Sequence, residues 1–219
     1  MTAYVITIMD NRDSLLAAQR CMASAPPNKI KHFPAITPNN DLDDLVKKNG
    51  ITNLYNFEKD GGSYSRYENC LAAFLSHFHL WKKARDENET MLILEHDAIF
   101  INNLPEIKFN KVCTIGKPSY GRYYTPQFLG VGKMSQAPYM KGAHAYVVSP
   151  AGASELIEKA KTHAGPTDVF LHIANFPWLQ EYYPWVVEAK DTFTTIQNPN
   201  GCAAKHNYNE DYKIVRVGE

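Results

Sequence analysis

Several signals that would narrow the class of this protein are missing from its sequence. No apolar run reaches the roughly 18 residues that a membrane span needs, so no segment reads as an anchor. Cys21, Cys70, Cys113 and Cys202 lie far apart with no CxxC spacing, which disfavours a zinc ribbon or a dense disulfide scaffold and suits buried, inert thiols in a reducing compartment. Neither sign of charge is in excess: 23 basic residues stand against 23 acidic ones, which argues against a broad nucleic-acid footprint. Any basic patch must be local. The opening MTAYVITIMD is too short an apolar run, and too poor in basic residues, for a signal peptide. No internal repeat or low-complexity tract is present. Together these absences leave a soluble, cytoplasmic protein with at most peripheral contact at the inner face of a membrane, and no nucleic acid among its partners.

What is there suits a globular α/β domain. With 219 residues, 44% of them hydrophobic, the chain can bury a full core as a single domain. Ala3 to Ile8 is β-branched and apolar, and Asp10-Asn11-Arg12-Asp13 supplies helix-capping chemistry before SLLAAQRCMAS. Lys29 to Ile36 reads as a second strand, and Asp41 to Lys48 as a short helix ended by Asn49-Gly50. After a loop over 56–65, Tyr67 to Asp86 is the longest helical candidate, with Leu71, Phe74, Leu75, Phe78 and Trp81 at spacings of three and four. Strand and helix alternating in this way predict a mostly parallel, twisted sheet flanked by helices.

The segment MLILEHDAIF, Met91 to Phe100, carries the strongest chemical signal. An apolar strand ends there in two carboxylates around one histidine, and ligands of open α/β sheets bind beyond the carboxyl ends of the strands. Alternation puts Glu95 and Asp97 on one side and His96 on the other. Two hard oxygen donors suit Mg²⁺ or Mn²⁺, which completes its shell with phosphates and water. The rival reading is an acidic strand end that faces water.

Beyond this motif the chain changes character. Residues 116–142 are rich in Gly, Pro and Tyr without a sustained period, and long loops in compact domains usually carry function. Their tyrosines can stack on sugar rings, or simply pack on the surface. Ala143 to Ser149 reads as a strand, Pro150 as the opener of the helix AGASELIEKAKTH, and Gly165-Pro166-Thr167-Asp168 as the start of a further helical turn, VFLHIANF.

The ordered set of YVITIMDNRD, FLSHFHLWKKA, MLILEHDAIF, GAHAYVVSPAGASELI and PTDVFL resembles glycosyltransferase family 25, the lipopolysaccharide-type galactosyltransferases, over most of the chain. The most specific part is the succession of a Ser-His-x-x-x-Trp helix, an acidic triplet after a strand, a Gly-x-x-Ala-Tyr-x-x-Ser strand and a Pro-x-Asp turn. Such a resemblance implies a GT-A-like fold in one Rossmann-like domain, with a nucleotide-binding half over 1–100 and an acceptor-side half over 101–219. It also implies a metal-dependent, inverting transferase that uses a UDP-sugar, UDP-galactose by default, and a glycan or lipid-linked saccharide acceptor. The family usually shows Glu-Asp-Asp where this chain has Glu95-His96-Asp97, and a Gly-Cys pair where it has Ala72-Ala73.

The resemblance gives residues their roles. Asp97, the retained last acid, and Glu95 are the expected metal ligands for Mn²⁺ or Mg²⁺, with Glu95 also available to the ribose. His206 is placed to add the C-terminal histidine ligand that GT-A enzymes often supply; a surface imidazole is its rival. Asp10 and Arg12 match the family's Asn/Asp-Arg segment and imply nucleotide contact, against a solvated cap and salt bridge. Thr7 and Gly142 complete the expected donor-binding set. Asp168 is the expected base that takes the acceptor proton, against a helix cap worth about 1 kcal/mol. His172 is an alternative acceptor-orienting group, His77 and His79 read as packed or solvated, and His96 as structural. Two other classes stay open: a non-catalytic nucleotide- or sugar-binding relative, and a metal-dependent phosphohydrolase built on Glu95 and Asp97.

Overall fold

In the computed structural model, residues 1–25, 30–57, 66–190, 193–197, 213–214 and 217 are described. A seven-stranded sheet forms the centre. Its strands are β1 (Thr2–Thr7), β2 (Ile30–Pro34), β3 (Met91–Glu95), β5 (Val112–Thr114), β6 (Gly130–Lys133), β7 (Ala145–Val148) and β8 (Gln180–Tyr183), in the order β2-β1-β3-β7-β5-β8-β6. β1 pairs in parallel with β2 and β3, and β5 with β8, whereas β7 and β6 run against their neighbours. Five of the seven strands therefore share one direction, and the sheet is mostly parallel in that sense. Two small pairs lie outside it: β4 (Ala98–Phe100) with β9 (Val187–Ala189), and β10 (Phe193–Thr194) with β11 (Lys213–Ile214).

Alternation along each strand divides the core into two layers. Tyr4 and Ile6, Met91 and Ile93, and Tyr146 and Val148 point to one face. Ala3 and Val5, Leu92 and Leu94, and Ala145 and Val147 point to the other. Both faces are covered, which is why these strands read as continuous apolar runs. On the second face lies α1 (Arg12–Ser24), through Ala18 and Cys21. On the first lie α2 (Leu42–Lys48), α3 (Tyr67–Asp86), α4 (Pro150–His163) and the single turn α5 (Thr167–Phe170).

The punctuation follows local chemistry. Asn11 caps α1 by accepting the Ser14 N–H at 2.9 Å, Asp41 caps α2 by accepting from Asp44 at 2.9 Å, and Ser149 caps α4 by accepting from Gly152 at 3.1 Å. Gly50, at φ +67, ends α2 where a side chain would be strained. Phe74 is the hub of the first layer, its ring edge-on to Phe57 at 5.4 Å, Trp81 at 5.7 Å and Phe170 at 5.4 Å. That cluster fixes α5 against α3.

Three features depart from the sequence reading. The strand opening GAHAYVVS enters between β3 and β5 and runs antiparallel to both. No helical crossover precedes it, so nothing forces the parallel direction. The segment 116–142 is irregular for most of its length, as expected, but Gly130–Lys133 forms the edge strand β6 against β8. The turn after Pro166 ends at Phe170 rather than continuing through VFLHIANF. Cys21, Cys70 and Cys113 are buried and form no disulfide, and burial pushes the Cys21 thiol up to about 12. Among the described residues no helix is long and apolar enough to cross a membrane.

One helix contact reverses a common rule. Replacing an interior helical glycine by alanine ordinarily stabilises by about 1 kcal/mol. A Cβ on Gly152 would lie 2.3 Å from the Lys111 carbonyl oxygen, a backbone atom that cannot swing aside. Gly152→Ala should instead destabilise by about 1–3 kcal/mol, read as a lower urea midpoint at unchanged slope; a raised midpoint would contradict that packing.

Candidate functional site

A cavity of about 540 Å³ opens at the carboxyl ends of β1 and β3. Its walls come from Ile6 and Ile8, the loop Ala35–Pro38, one side of α3, the Glu95–Asp97 turn, Ser119 and Tyr120, Tyr139, Gly142 and His144, and the start of α5 with Asp168. Each wall has a local cause. Ser76 accepts the Ile36 N–H at 2.9 Å while donating to the Ala72 carbonyl at 3.0 Å, so α3 holds the loop after β2 in place. Gly142, at φ +97, precedes Ala143 at φ +47, two left-handed residues in succession at the mouth of β7. A Cβ on Gly142 would sit 2.3 Å from Ser119 Oγ, so the close approach of these two walls requires glycine.

The acidic motif straddles the end of its strand. Glu95 is the last residue of β3 and continues the face of Met91 and Ile93, towards α3. There its Oε1 lies 3.1 Å from Nε2 of the buried His77. On the same face, Tyr146 Oη is 2.9 Å from His77 Nδ1 and accepts the indole N–H of Trp81 at 2.8 Å. Burial keeps the Tyr146 hydroxyl protonated well past the ordinary tyrosine range. His96 and Asp97 lie beyond the strand, in the turn before β4, where alternation no longer governs direction. Asp97 is buried, at 8% exposure, and lines the cavity. The His96 ring stacks on Phe193 at 5.1 Å, and its Nδ1 lies 3.2 Å from Ser14 Oγ. This histidine ties the motif to α1 and β10.

Asp168 stands across the cavity, half-buried. It is not the cap of its helix: Pro166 holds that position, and the Asp168 carboxylate accepts from the Tyr120 hydroxyl and, at 2.9 Å, from the Val169 N–H. Burial raises its carboxyl above the usual aspartate range, and the hydrogen bonds from Tyr120 and Val169 offset part of that rise. The same burial, with Asp168 beside it, raises the Tyr120 hydroxyl. Tyr139 adjoins this corner, its ring 6.5 Å from Tyr120 and stacked on His172 at 6.1 Å, and the Lys141 ammonium lies 5.9 Å and 5.6 Å from the Tyr120 and Tyr139 ring centres.

Glu95, Asp97, Gly142 and Asp168 thus meet on one cavity, while three other expected residues do not reach it. Thr7 shares the face of Ala3 and Val5, opposite to Ile6 and Ile8; it is fully buried, donates to the Val5 carbonyl and lies 3.0 Å from His32 Nδ1. Asp10 and Arg12 are exposed, in the turn after β1 and at the first residue of α1. His206 lies outside the described residues. From the sequence, His77 reads as a packed or solvated histidine, Trp81 as part of an apolar helix face, Tyr146 as part of a strand motif and Tyr120 as one of the tyrosines of 116–142, and none of the four has an individual role in the site. A signal for two of them existed, since the Ser-His-x-x-x-Trp spacing puts His77 and Trp81 four apart on one helix face.

Among the described residues no three of His, Cys, Asp and Glu come close enough to hold a metal by themselves. The donor set nonetheless fits Mg²⁺ or Mn²⁺, which takes one or two protein carboxylates and fills its shell from phosphate and water. The three or four protein ligands that zinc takes from Cys, His, Asp or Glu do not come together among the described residues.

The succession of motifs around this cavity matches a protein family. A family model described as glycosyltransferase family 25 (LPS biosynthesis protein) matches residues 2–171, which takes in every motif on the cavity wall. The chain belongs to glycosyltransferase family 25. No curated protein matches it. Among solved structures, it is similar to the apo crystal structure of mouse xyloside xylosyltransferase 1, at 12% identity over 88% of this chain and 86% of that one, with a TM-score of 0.38. So distant a likeness says nothing about the site.

Asp168 should leave a mark on stability as a function of pH. A carboxyl whose pKa is raised on folding favours the folded state fully below its unfolded pKa, near 3.9, and loses that contribution as pH rises through the folded value. The stability of the wild type relative to Asp168→Asn, followed in urea melts, should therefore fall between about pH 3.5 and about pH 7. A difference that grows with pH would mean that the carboxylate, not the acid, is the form favoured by folding.

Proposed function

We propose that this family 25 glycosyltransferase moves a hexose, galactose by default, from a UDP-sugar to a glycan or lipid-linked saccharide, with inversion and with a divalent metal. The observation that carries the reading is the pairing, across one cavity, of a carboxylate wall at the end of β3 with a carboxyl of raised pKa on α5. A proton-accepting role and a metal-holding role call for carboxylates in different environments, and the two walls differ: Asp168 is held by Tyr120 and Val169, Glu95 by His77.

In this reading the acceptor hydroxyl lies against Asp168. Its oxygen attacks the anomeric carbon as the bond to the diphosphate oxygen breaks; Asp168 takes the hydroxyl proton and UDP leaves with the bonding pair. Tyr120 donates to one carboxylate oxygen and the Val169 N–H to the other, which together keep the carboxylate oriented. A base with its pKa lifted towards the working pH is better matched to this proton than an ordinary aspartate, and a positioned base contributes on the order of 10²- to 10⁴-fold. Asp97 and Glu95 would hold Mn²⁺ or Mg²⁺, which supplies Lewis-acid stabilisation of the leaving diphosphate when bound. The tyrosines at 120 and 139 offer faces on which a saccharide stacks. The replacement of a middle acid by His96 favours a second reading, a nucleotide-sugar-binding relative without turnover.

A screen of UDP release from several nucleotide sugars, with and without Mn²⁺, decides between the two. Metal-dependent release with one sugar preferred is the expected result; binding without release would leave the non-catalytic reading. Asp168→Asn should lower transfer about 100-fold or more while UDP affinity stays near that of the wild type, and should remove an acid limb of kcat/KM lying above the ordinary aspartate range. Near-normal transfer by this variant would exclude Asp168 as the base. For Asp97→Asn, calorimetry should find Mn²⁺-dependent UDP binding lost with the melting temperature preserved; retained affinity would remove Asp97 from the ligand set.

A further inference from the structure

The proton inventory around His77 fixes more than its packing. Trp81, Tyr146 and His77 are at most 1% exposed, so each polar hydrogen among them must be placed within the protein. The indole N–H only donates, and it donates to Tyr146 Oη at 2.8 Å. The hydroxyl proton of Tyr146 is then directed to His77 Nδ1 at 2.9 Å, which makes that nitrogen an acceptor. A neutral imidazole that accepts at Nδ1 carries its proton at Nε2, and Nε2 lies 3.1 Å from Glu95 Oε1. Every hydrogen bond in the row points one way, from Trp81 through Tyr146 and His77 to Glu95.

The geometry points to Trp81 and Tyr146 as positioning residues that lock His77 as an Nε2–H donor, and so hold one oxygen of Glu95 while aiming the other into the cavity at the nucleotide-sugar. This inference rests on the donor role given to Glu95 above. The sequence motifs fall into place around it: the Ser-His-x-x-x-Trp helix supplies the first and third members of the row, the Ala-Tyr strand the second, and the acidic strand end the last. Groups that hold a ligand-binding side chain from behind set its orientation as much as its identity does, and removing one costs on the order of 10- to 100-fold in affinity or activity.

Two measurements test the lock. In metal-free, ¹⁵N-labelled protein, long-range ¹H–¹⁵N spectra should report His77 as the neutral Nε2–H tautomer, and Tyr146→Phe should shift that signature towards Nδ1–H. An Nδ1–H tautomer in the wild type, or a signature untouched by Tyr146→Phe, would overturn the inference. The second measurement is the affinity for UDP in the presence of Mn²⁺, with thermal melts confirming that each variant is folded. The amide of asparagine reaches as far as Nδ1, and that of glutamine as far as Nε2. His77→Asn, which keeps only the Tyr146 side, should weaken UDP about tenfold, and His77→Gln, which keeps the donor to Glu95, should restore most of that loss. Equal effects from the two would overturn the lock, and this pair decides the matter even if Tyr146→Phe fails to fold. Glu95→Gln separates the lock from the role it serves. Unchanged UDP affinity in that variant, alongside the Nε2–H tautomer, refutes the donor role of Glu95; weakened affinity there with wild-type affinity in His77→Asn refutes the lock.

Discussion

A one-directional row of buried hydrogen bonds, from the Trp81 indole to the Glu95 carboxylate, is the constraint around which the site is arranged. It crosses from α3 to β7, returns to α3 and ends on β3, so it joins the helix layer to two neighbouring, antiparallel strands. Polar groups without a partner cost on the order of 1–3 kcal/mol each in such an interior. The register of β7 against β3 and the rotation of α3 are therefore both specified by it, since a slip of one residue would send Tyr146 to the opposite face. The apolar core would tolerate some repacking. This row would not.

That rigidity reaches the cavity wall unevenly. Glu95 is partly exposed, whereas Asp97 two residues on is buried in the turn. The two differ because one belongs to the strand and takes its orientation from α3, and the other belongs to the turn and packs beneath it. On the opposite wall Asp168 is set by a different device: a single helical turn pinned by Phe170, with Tyr120 from an irregular segment as its hydrogen-bond donor. The wall at the end of β3 is thus fixed by regular structure, and the wall around Asp168 by aromatic packing.

The elements that could be read from the sequence were those with local causes. The span of α3, Tyr67–Asp86, coincides with the apolar spacing of three and four, and α2 lies between Asp41 and Asn49-Gly50, as their capping chemistry requires. The placing of Glu95, Asp97, Gly142 and Asp168 on one cavity accords with strand-end logic and with the family's motif order. Strand direction leaves no such mark, so nothing in GAHAYVVS announced that it enters antiparallel. Alternation was legible up to Glu95 but was carried two residues too far, into a turn. Thr7, Asp10 and Arg12 sit beside the right strand end, yet which side of it meets the cavity depends on α3 and the loop after β2, long-range neighbours that a local reading cannot supply.

Trp81 has a second attachment whose consequence is mechanical. While its N–H is engaged with Tyr146, the face of its indole lies on Phe170 at 5.5 Å, two residues beyond Asp168. One rigid side chain thereby touches both the row that aims Glu95 and the turn that carries Asp168. The two walls cannot be adjusted independently: a change that tilts the indole transmits to both, and kinetic penalties from substitutions on opposite sides of the cavity will not add. The separation of the two carboxyl-bearing walls is in effect gauged by a tryptophan that does not line the cavity.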